Sequence, residues 1–319
     1  MKAVVQVRYG SPDGLELQEI EKPVAADDQV LVKIRAASVN AADWHLMRRL
    51  PHVFGRLLRM PGTRVRGTDL AGHVEAVGRS VTRFRPGDEV FGGGTGSFAE
   101  YATASENRLA TKPRNLTFEQ AAAIPVAGLT ALQGLRDTAH LQPGHKVLVY
   151  GAGGGVGTFA VQIARALGAQ VTAATGTNNM DLLRSIGAHE VIDYTKERLT
   201  RREGRYDILF DLGANRSFAE CRRALAPNGI HVLAGAPNGL WPVVSRLLWA
   251  QLLSHIGRHR VSSFLARGSQ EDLVLLKELV EKGKLSPVID RSYRLSDVPD
   301  AIRYVGTRAA RGKVVICVE

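Results

Sequence analysis

Residues 145–157 read HKVLVYGAGGGVG, an apolar run driven straight into a cluster of glycines. The run has the length of a strand and ends at Tyr150, and a helical pattern begins near Val156, so little but glycine separates a buried strand from a helix N-terminus. A turn without side chains lets a ligand approach the backbone. The free N–H groups and the positive end of the helix dipole then favour a pyrophosphate. Aligned on G-x-G-x-x-G, the loop is Ala152-Gly153-Gly154-Gly155-Val156-Gly157, with alanine at the first position. A lone glycine motif is only a flexible turn; set between strand and helix it predicts a dinucleotide site.

The flanking sequence has that context. From about residue 119 a helical stretch, FEQAAAIPVAGLTALQGLR, leads into strands HKVLVYG (145–151), QVTAAT (170–175), EVIDY (190–194), YDILFDL (206–212) and GIHVLAGA (229–236). Helical patterns VGTFAVQIARALG, MDLLRSIG and SFAECRRALA lie between several of them. Continuously apolar strands alternating with helices predict a Rossmann-type, doubly wound parallel sheet covered on both faces. The first third differs. Short strands such as KAVVQVR (2–8), LELQEI (15–20), QVLVKIRAASVN (29–40), LAGHVEAVG (70–78) and FAEYATAS (98–105) are punctuated by Gly/Pro turns. That pattern predicts a mainly antiparallel β domain. After helix QEDLVLLKELVEKG (270–283), the strand-like segments VIDRSYRL and KVVICV stand outside the βα alternation and are expected to return to this first domain. The expected domains are therefore 1–123 with 283–319, and 124–282.

Bulk properties narrow the function. The net charge of +11 gathers in arginines at 48–66, 198–205 and 258–260, but only 6% of residues are aromatic and no nucleic-acid module is present, so nucleic-acid binding is not expected. The segment LWPVVSRLLWAQLLSHI (240–256) carries Ser245, Arg246, Gln251 and Ser254 and reads as a buried or amphipathic helix, not a membrane span. Gln6 and Arg8 interrupt the apolar N-terminus, which reads as no signal peptide, so a cytoplasmic location is expected. Cys221 and Cys317 are the two cysteines, and neither has metal-ligand spacing.

The cofactor type is read from the second strand of the dinucleotide unit. It ends ATGTNNMD (174–181), with Thr175, Gly176, Thr177 and Asn178 where an acid would bind the ribose 2′-hydroxyl of NAD. The missing carboxylate permits a 2′-phosphate and favours NADPH, with NADH the alternative, although no cation stands in this turn.

Taken in order, AASVNAADWHLMR (36–48), GTDLAGHVEAVG (67–78), RPGDEVFGG (85–93), GSFAEYA (96–102), AAAIPVAGLTA (121–131), GAGGGVG, IGAHEVIDY (186–194), RALAPNGIHV (223–232) and ARGKVV (310–315) resemble the medium-chain dehydrogenase/reductase superfamily, in its zinc-independent quinone oxidoreductase branch, over nearly the whole chain. The resemblance implies a GroES-like catalytic domain built from both chain ends, a Rossmann domain between them, and a cleft where nicotinamide meets substrate. It also implies a homodimer pairing Rossmann sheet edges, through GIHVLAGA. By resemblance Asn40 lies near the nicotinamide and Thr130 near the cofactor phosphates. Gly154, Gly155 and Val156 line the pyrophosphate beside Ala152 and Gly157, Tyr194 approaches the adenosine 2′-phosphate, and Gly235 lies beside the nicotinamide ribose. Thr175, Thr177, Asn178 and Lys313 complete the cofactor-binding set. The zinc-dependent relatives have a cysteine near position 40 and Gly-His-Glu near 67–69; here stand Asn40 and Gly67-Thr68-Asp69, and no metal site is expected.

Without a Lewis acid the substrate must already be electron-poor, a quinone or an α,β-unsaturated carbonyl. Asn40, Asp43 and His45 are the candidate polar groups beside it, with Trp44 through its indole N–H. Leu240, Trp241, Leu247, Leu248 and Trp249 are expected to wall an apolar pocket. The competing readings are a zinc-type alcohol dehydrogenase and a non-catalytic NADPH-sensing or RNA-binding protein of the same fold.

Overall fold

The computed structural model of the chain describes residues 1–8, 10–49, 65–197, 205–213, 216–234 and 260–319. Its strands in chain order are β1 (Lys2–Gln6), β2 (Leu15–Glu19), β3 (Gln29–Val39), β4 (Asp69–Val77), β5 (Glu89–Gly93), β6 (Tyr101–Ser105) and β7 (Leu109–Thr111). Then come β8 (Lys146–Tyr150), β9 (Gln170–Thr175), β10 (Glu190–Asp193), β11 (Tyr206–Asp211), β12 (Leu225–Leu233), β13 (Arg260–Ser263), β14 (Ile289–Arg294) and β15 (Lys313–Cys317). The chain divides into two compact units, Met1–Leu129 with Gly268–Lys282 and Pro287–Glu319, and Thr130–Arg267 with Gly283–Ser286.

In the first unit β14-β15-β3-β4-β5-β7 form a sheet in that order, and β6 also pairs with β3. All pairings are antiparallel except β14 with β15. The long, largely buried β3 organises it: Val30, Val32 and Ile34 enter one apolar core with Leu70, Val90, Phe98 and Ile316. The closing strands return to this unit as the sequence implies. Two helical elements depart from expectation. Helix Gln270–Glu281 belongs to this unit and not to the dinucleotide unit, because Leu276 packs within 3.5 Å of the Cβ position of Gly128 and Asn115 donates to the Val280 carbonyl. Between β14 and β15 lies helix Val298–Gly306, whose short length hid its strongly one-sided apolar pattern among strand-like segments.

The second unit is a six-stranded, wholly parallel sheet in the order β10-β9-β8-β11-β12-β13. This is the doubly wound order in which ligands bind beyond the carboxyl ends of the strands, where the order reverses at β8. Register brings Asp193 beside Thr175, Tyr150 beside Ala174, and Asp211 beside Tyr150, so these residues share that edge. The predicted helix over 118–136 is split into Phe118–Ala122 and Pro125–Gln133. Pro125 opens the second because proline lacks an N–H and cannot continue the first. GIHVLAGA is not an edge: β12 is flanked by β11 and β13, so its backbone groups are engaged on both sides, and among the described residues β13 is the last strand on that side. Gly235 and the segment 240–256 lie outside the described residues. Among the described residues no helix is long and apolar enough to cross a membrane.

Candidate active site

At the exit of β8 the chain turns through Gly151, at φ +85°, a value that favours glycine. Ala152 is buried, and Gly154 caps helix Gly155–Ala166 without any side-chain hydrogen bond to the helix end. The glycines differ in what surrounds them. A Cβ on Gly157 would meet the carbonyl oxygens of Ala152 and Gly151 at 2.5 Å, and one on Gly153 would meet Asn179 Nδ2 at 2.4 Å. A Cβ on Gly154 would have only the Gly151 oxygen near it, at 3.7 Å. The first two glycines close the turn, whereas Gly154 leaves open space over an uncapped helix N-terminus. That cradle fits a pyrophosphate.

Beyond β9, Thr175 is buried, Thr177 and Asn178 are exposed, and Asn179 is drawn in toward the glycine loop. A 3-10 turn at Thr177–Asn179 causes this difference, turning one asparagine to solvent and the next inward. Asn179 Oδ1 is buried with no hydrogen-bond partner. An orphaned acceptor against the phosphate cradle fits a ligand hydroxyl, so Asn179, rather than the expected Asn178, faces the loop. Thr177 Oγ1 donates to Asp193 Oδ2 at 2.5 Å and Thr195 Oγ1 to Oδ1 at 2.6 Å, and these bonds hold the Asp193 carboxyl down at about 2. Tyr194 is tied to β9 through its N–H to the Thr175 carbonyl, with its hydroxyl 3.6 Å from the Cβ position of Gly176. The turn after β9 holds no cation, but Arg216, beyond the end of β11, reaches the same place. Its Nε donates to Tyr150 Oη at 2.8 Å and its Nη2 to the Tyr194 carbonyl at 3.4 Å. The Tyr150 and Tyr194 rings pack at 5.4 Å. Thr130 is half-buried on helix Pro125–Gln133.

A second polar cluster belongs to the first unit. Register places Ser38 opposite Asp69 and Val39 opposite Val314, so the end of β3 and the starts of β4 and β15 converge. Asp69 and Lys313 are buried as an ion pair at 3.3 Å. Asp69 Oδ2 also accepts from Ser38 Oγ at 2.7 Å and Asn40 Nδ2 at 2.9 Å, while Oδ1 accepts the Val126 N–H at 3.0 Å. Lys313 Nζ donates further to Asn40 Oδ1 at 2.6 Å and the Val39 carbonyl at 3.4 Å. All three ammonium protons thus have protein acceptors. Lys313, expected at the cofactor, is buried as the group that orients Asn40, holding the amide oxygen while Asp69 holds the amide nitrogen. This donor set does not fit zinc. The carboxylate is saturated with donors, a lysine supplies the positive charge, and among the described residues no cysteine or histidine joins Asn40 and Asp69 as a three-ligand group.

Asp43 lies in the first turn of helix Ala41–Arg49, its Oδ2 accepting the Asn40 N–H at 2.8 Å. Burial pushes its carboxyl up to about 6, and the nearby Asp69 charge adds to the rise; the Asn40 N–H, Lys313 and Arg66 oppose it. His45 lies two residues further on the helix, and side chains two apart do not share a face. Trp44 packs on helix Val298–Gly306, where a Cβ at Gly306 would meet its ring at 2.6 Å, so it acts as an anchor of the fold.

A GroES-like sheet carrying the Asn40 cluster and a parallel sheet carrying a phosphate cradle together define a nicotinamide-dependent dehydrogenase or reductase. Residues 26–114 match the alcohol dehydrogenase GroES-like domain family, and 186–316 match the zinc-binding dehydrogenase family. The chain is 35% identical to 2-methylene-furan-3-one reductase of Solanum lycopersicum over 99% of its own length and 79% of that protein's. The quinone oxidoreductase of Coxiella burnetii superposes with a TM-score of 0.88 at 30% identity, covering 100% of this chain and 99% of that one. The Escherichia coli quinone oxidoreductase complexed with NADPH superposes with a TM-score of 0.84 at 26% identity, covering 99% and 100%. The chain belongs to the medium-chain dehydrogenase/reductase superfamily, in its quinone oxidoreductase branch.

Proposed function

We propose that the protein is a zinc-independent, NADPH-dependent reductase of quinones or α,β-unsaturated carbonyls, cytoplasmic and homodimeric. The observation that carries this reading is the buried Asn40–Asp69–Lys313 cluster, where an amide and a lysine-paired carboxylate stand at two of the positions, 40 and 69, that the zinc-dependent relatives give to cysteine and to Gly-His-Glu. A site with no Lewis acid suits an acceptor that is already electron-poor and apolar. The enone named in the tomato relative and the quinone named in the bacterial ones belong to that class. NADPH supplies the hydride when bound. The N–H groups at Gly155 and Val156, beside the open space at Gly154, would hold its pyrophosphate and Asn179 Oδ1 a ribose hydroxyl. Arg216 and Tyr194 would face the 2′-phosphate, which favours NADPH over NADH. Strand β13, last in the described sheet, would serve the homodimer.

The test is oxidation of NADPH, and of NADH in parallel, with 9,10-phenanthrenequinone and 2-alkenals, with and without chelator. We expect chelator-resistant turnover that is faster with NADPH, and Arg216→Ala to reduce that preference roughly tenfold, the loss of one charge-assisted contact. Silence with every acceptor, despite NADPH binding, would overturn the reading.

Asp43 adds a pH dependence. Reduction of the acceptor consumes a proton as well as a hydride, and a carboxyl near 6 retains one into the neutral range. Its protonated fraction falls as pH rises through 6, so kcat should decline over that interval and Asp43→Asn should flatten the limb. A wild-type profile in that variant removes Asp43 from proton delivery.

A further inference from the structure

The sequence spacing of Cys221 suggests no metal site, yet the fold brings it against two other ligand-type side chains. We propose that Asp211, Cys221 and His231 bind a divalent transition metal of the zinc type within the dinucleotide unit. Asp211 ends β11, Cys221 lies on helix Phe218–Ala224, and His231 lies on β12, so one β-α-β passage supplies all three. A carboxylate oxygen, a thiol sulfur and an imidazole nitrogen fall within 4.8 Å of one another. Their side chains are almost completely buried. A tetrahedral zinc with ordinary bond lengths spaces its ligand atoms about 3.3–3.8 Å apart, so closure needs only small side-chain rotations.

A further observation favours an ion over a packing accident. Cys221 sits in a core of Leu148, Tyr150, Ile192, Leu209 and Leu225, which shields the cluster from solvent. His231 Nδ1 is buried with no hydrogen-bond partner, while Nε2 stands 3.2 Å from Asp211 Oδ2. The imidazole therefore has an unused ring nitrogen in a dry cluster, and the Phe218 ring edge-on at 5.9 Å fixes its plane. One thiolate and one carboxylate balance a doubly charged cation, with imidazole the neutral third ligand. Sulfur and nitrogen donors select zinc over magnesium or calcium. A bound ion would clasp β11, the helix and β12 together, a structural role independent of hydride transfer.

The experiment uses the full chain, stripped with chelator and titrated with Co²⁺ as a spectroscopic probe, then with Zn²⁺. We expect one equivalent of cobalt, a thiolate-to-cobalt charge-transfer band that zinc displaces, and a Tm rise of about 5–10 °C at zinc a hundredfold above Kd. With only two cysteines in the chain, the band should vanish in Cys221→Ser and persist in Cys317→Ser. Wild-type protein with no band and no zinc-dependent Tm would overturn the site, whether or not the variants fold. So would a band that depends on Cys317. Chelator should lower Tm while leaving reductase turnover of the surviving folded enzyme unchanged, which separates this site from the active site.

Discussion

Gly154→Val should fold and yet lose NADPH. The native backbone at Gly154 has φ −86° and ψ 176°, within the extended region that valine prefers, and its added Cβ meets nothing closer than 3.7 Å. Exchanging a glycine N-cap for valine costs about 1 kcal/mol, a Tm loss of only a few degrees. The isopropyl group would fill the space through which a pyrophosphate reaches the helix N–H groups. A rise in NADPH Kd of at least about a hundredfold, roughly 2.7 kcal/mol, is expected by fluorescence titration. Gly157→Ala is the contrasting variant. Its methyl would press on two backbone oxygens at 2.5 Å that cannot yield, so fold and binding should fail together. Wild-type affinity in a folded Gly154→Val protein would sink the cradle.

The parallel sheet and the glycine turn were readable because their signals are local. An apolar strand, a glycine turn and an amphipathic helix each announce themselves within a dozen residues, and right-handed βαβ connections do the rest. What sequence could not show depends on partners far along the chain. Asp69 and Lys313 lie 244 residues apart, and either alone reads as an ordinary surface charge. Helix Gln270–Glu281 has an amphipathic pattern that says only that one face is covered, not by which unit. Asn178 and Asn179 are the same residue type, and only the phase of a 3-10 turn decides which meets the loop. Arg216 reaches Tyr194 from a different strand exit, where a search for a cation in the turn after β9 finds none. His231 lies on a strand that alternation alone assigns to packing, and the ten-residue steps from Asp211 to Cys221 to His231 match no ligand motif.

The largest stability effect should come from Lys313→Met. The methionine keeps most of the apolar stem but removes the ammonium, leaving the Asp69 carboxylate charged in a site with no solvent exposure. Breaking one side of a buried pair costs about 3–5 kcal/mol, because the remaining charge loses its compensation while its desolvation persists. At about 2–4 °C per kcal/mol for a chain of this size, Tm should fall by roughly 6–20 °C. Asp69→Asn alone should also destabilise, since it strands the ammonium and weakens the bonds from Ser38, Asn40 and the Val126 N–H. The double variant should lose less than the sum of the two, giving a coupling energy of about 1–3 kcal/mol in a double-mutant cycle. Activity supplies the second readout. Loss of the ammonium would free Asn40 Oδ1 from its 2.6 Å donor, so kcat should fall even at temperatures where the variant is fully folded. If Lys313→Met melts like the wild type and turns over normally, the pair neither holds the fold nor orients Asn40.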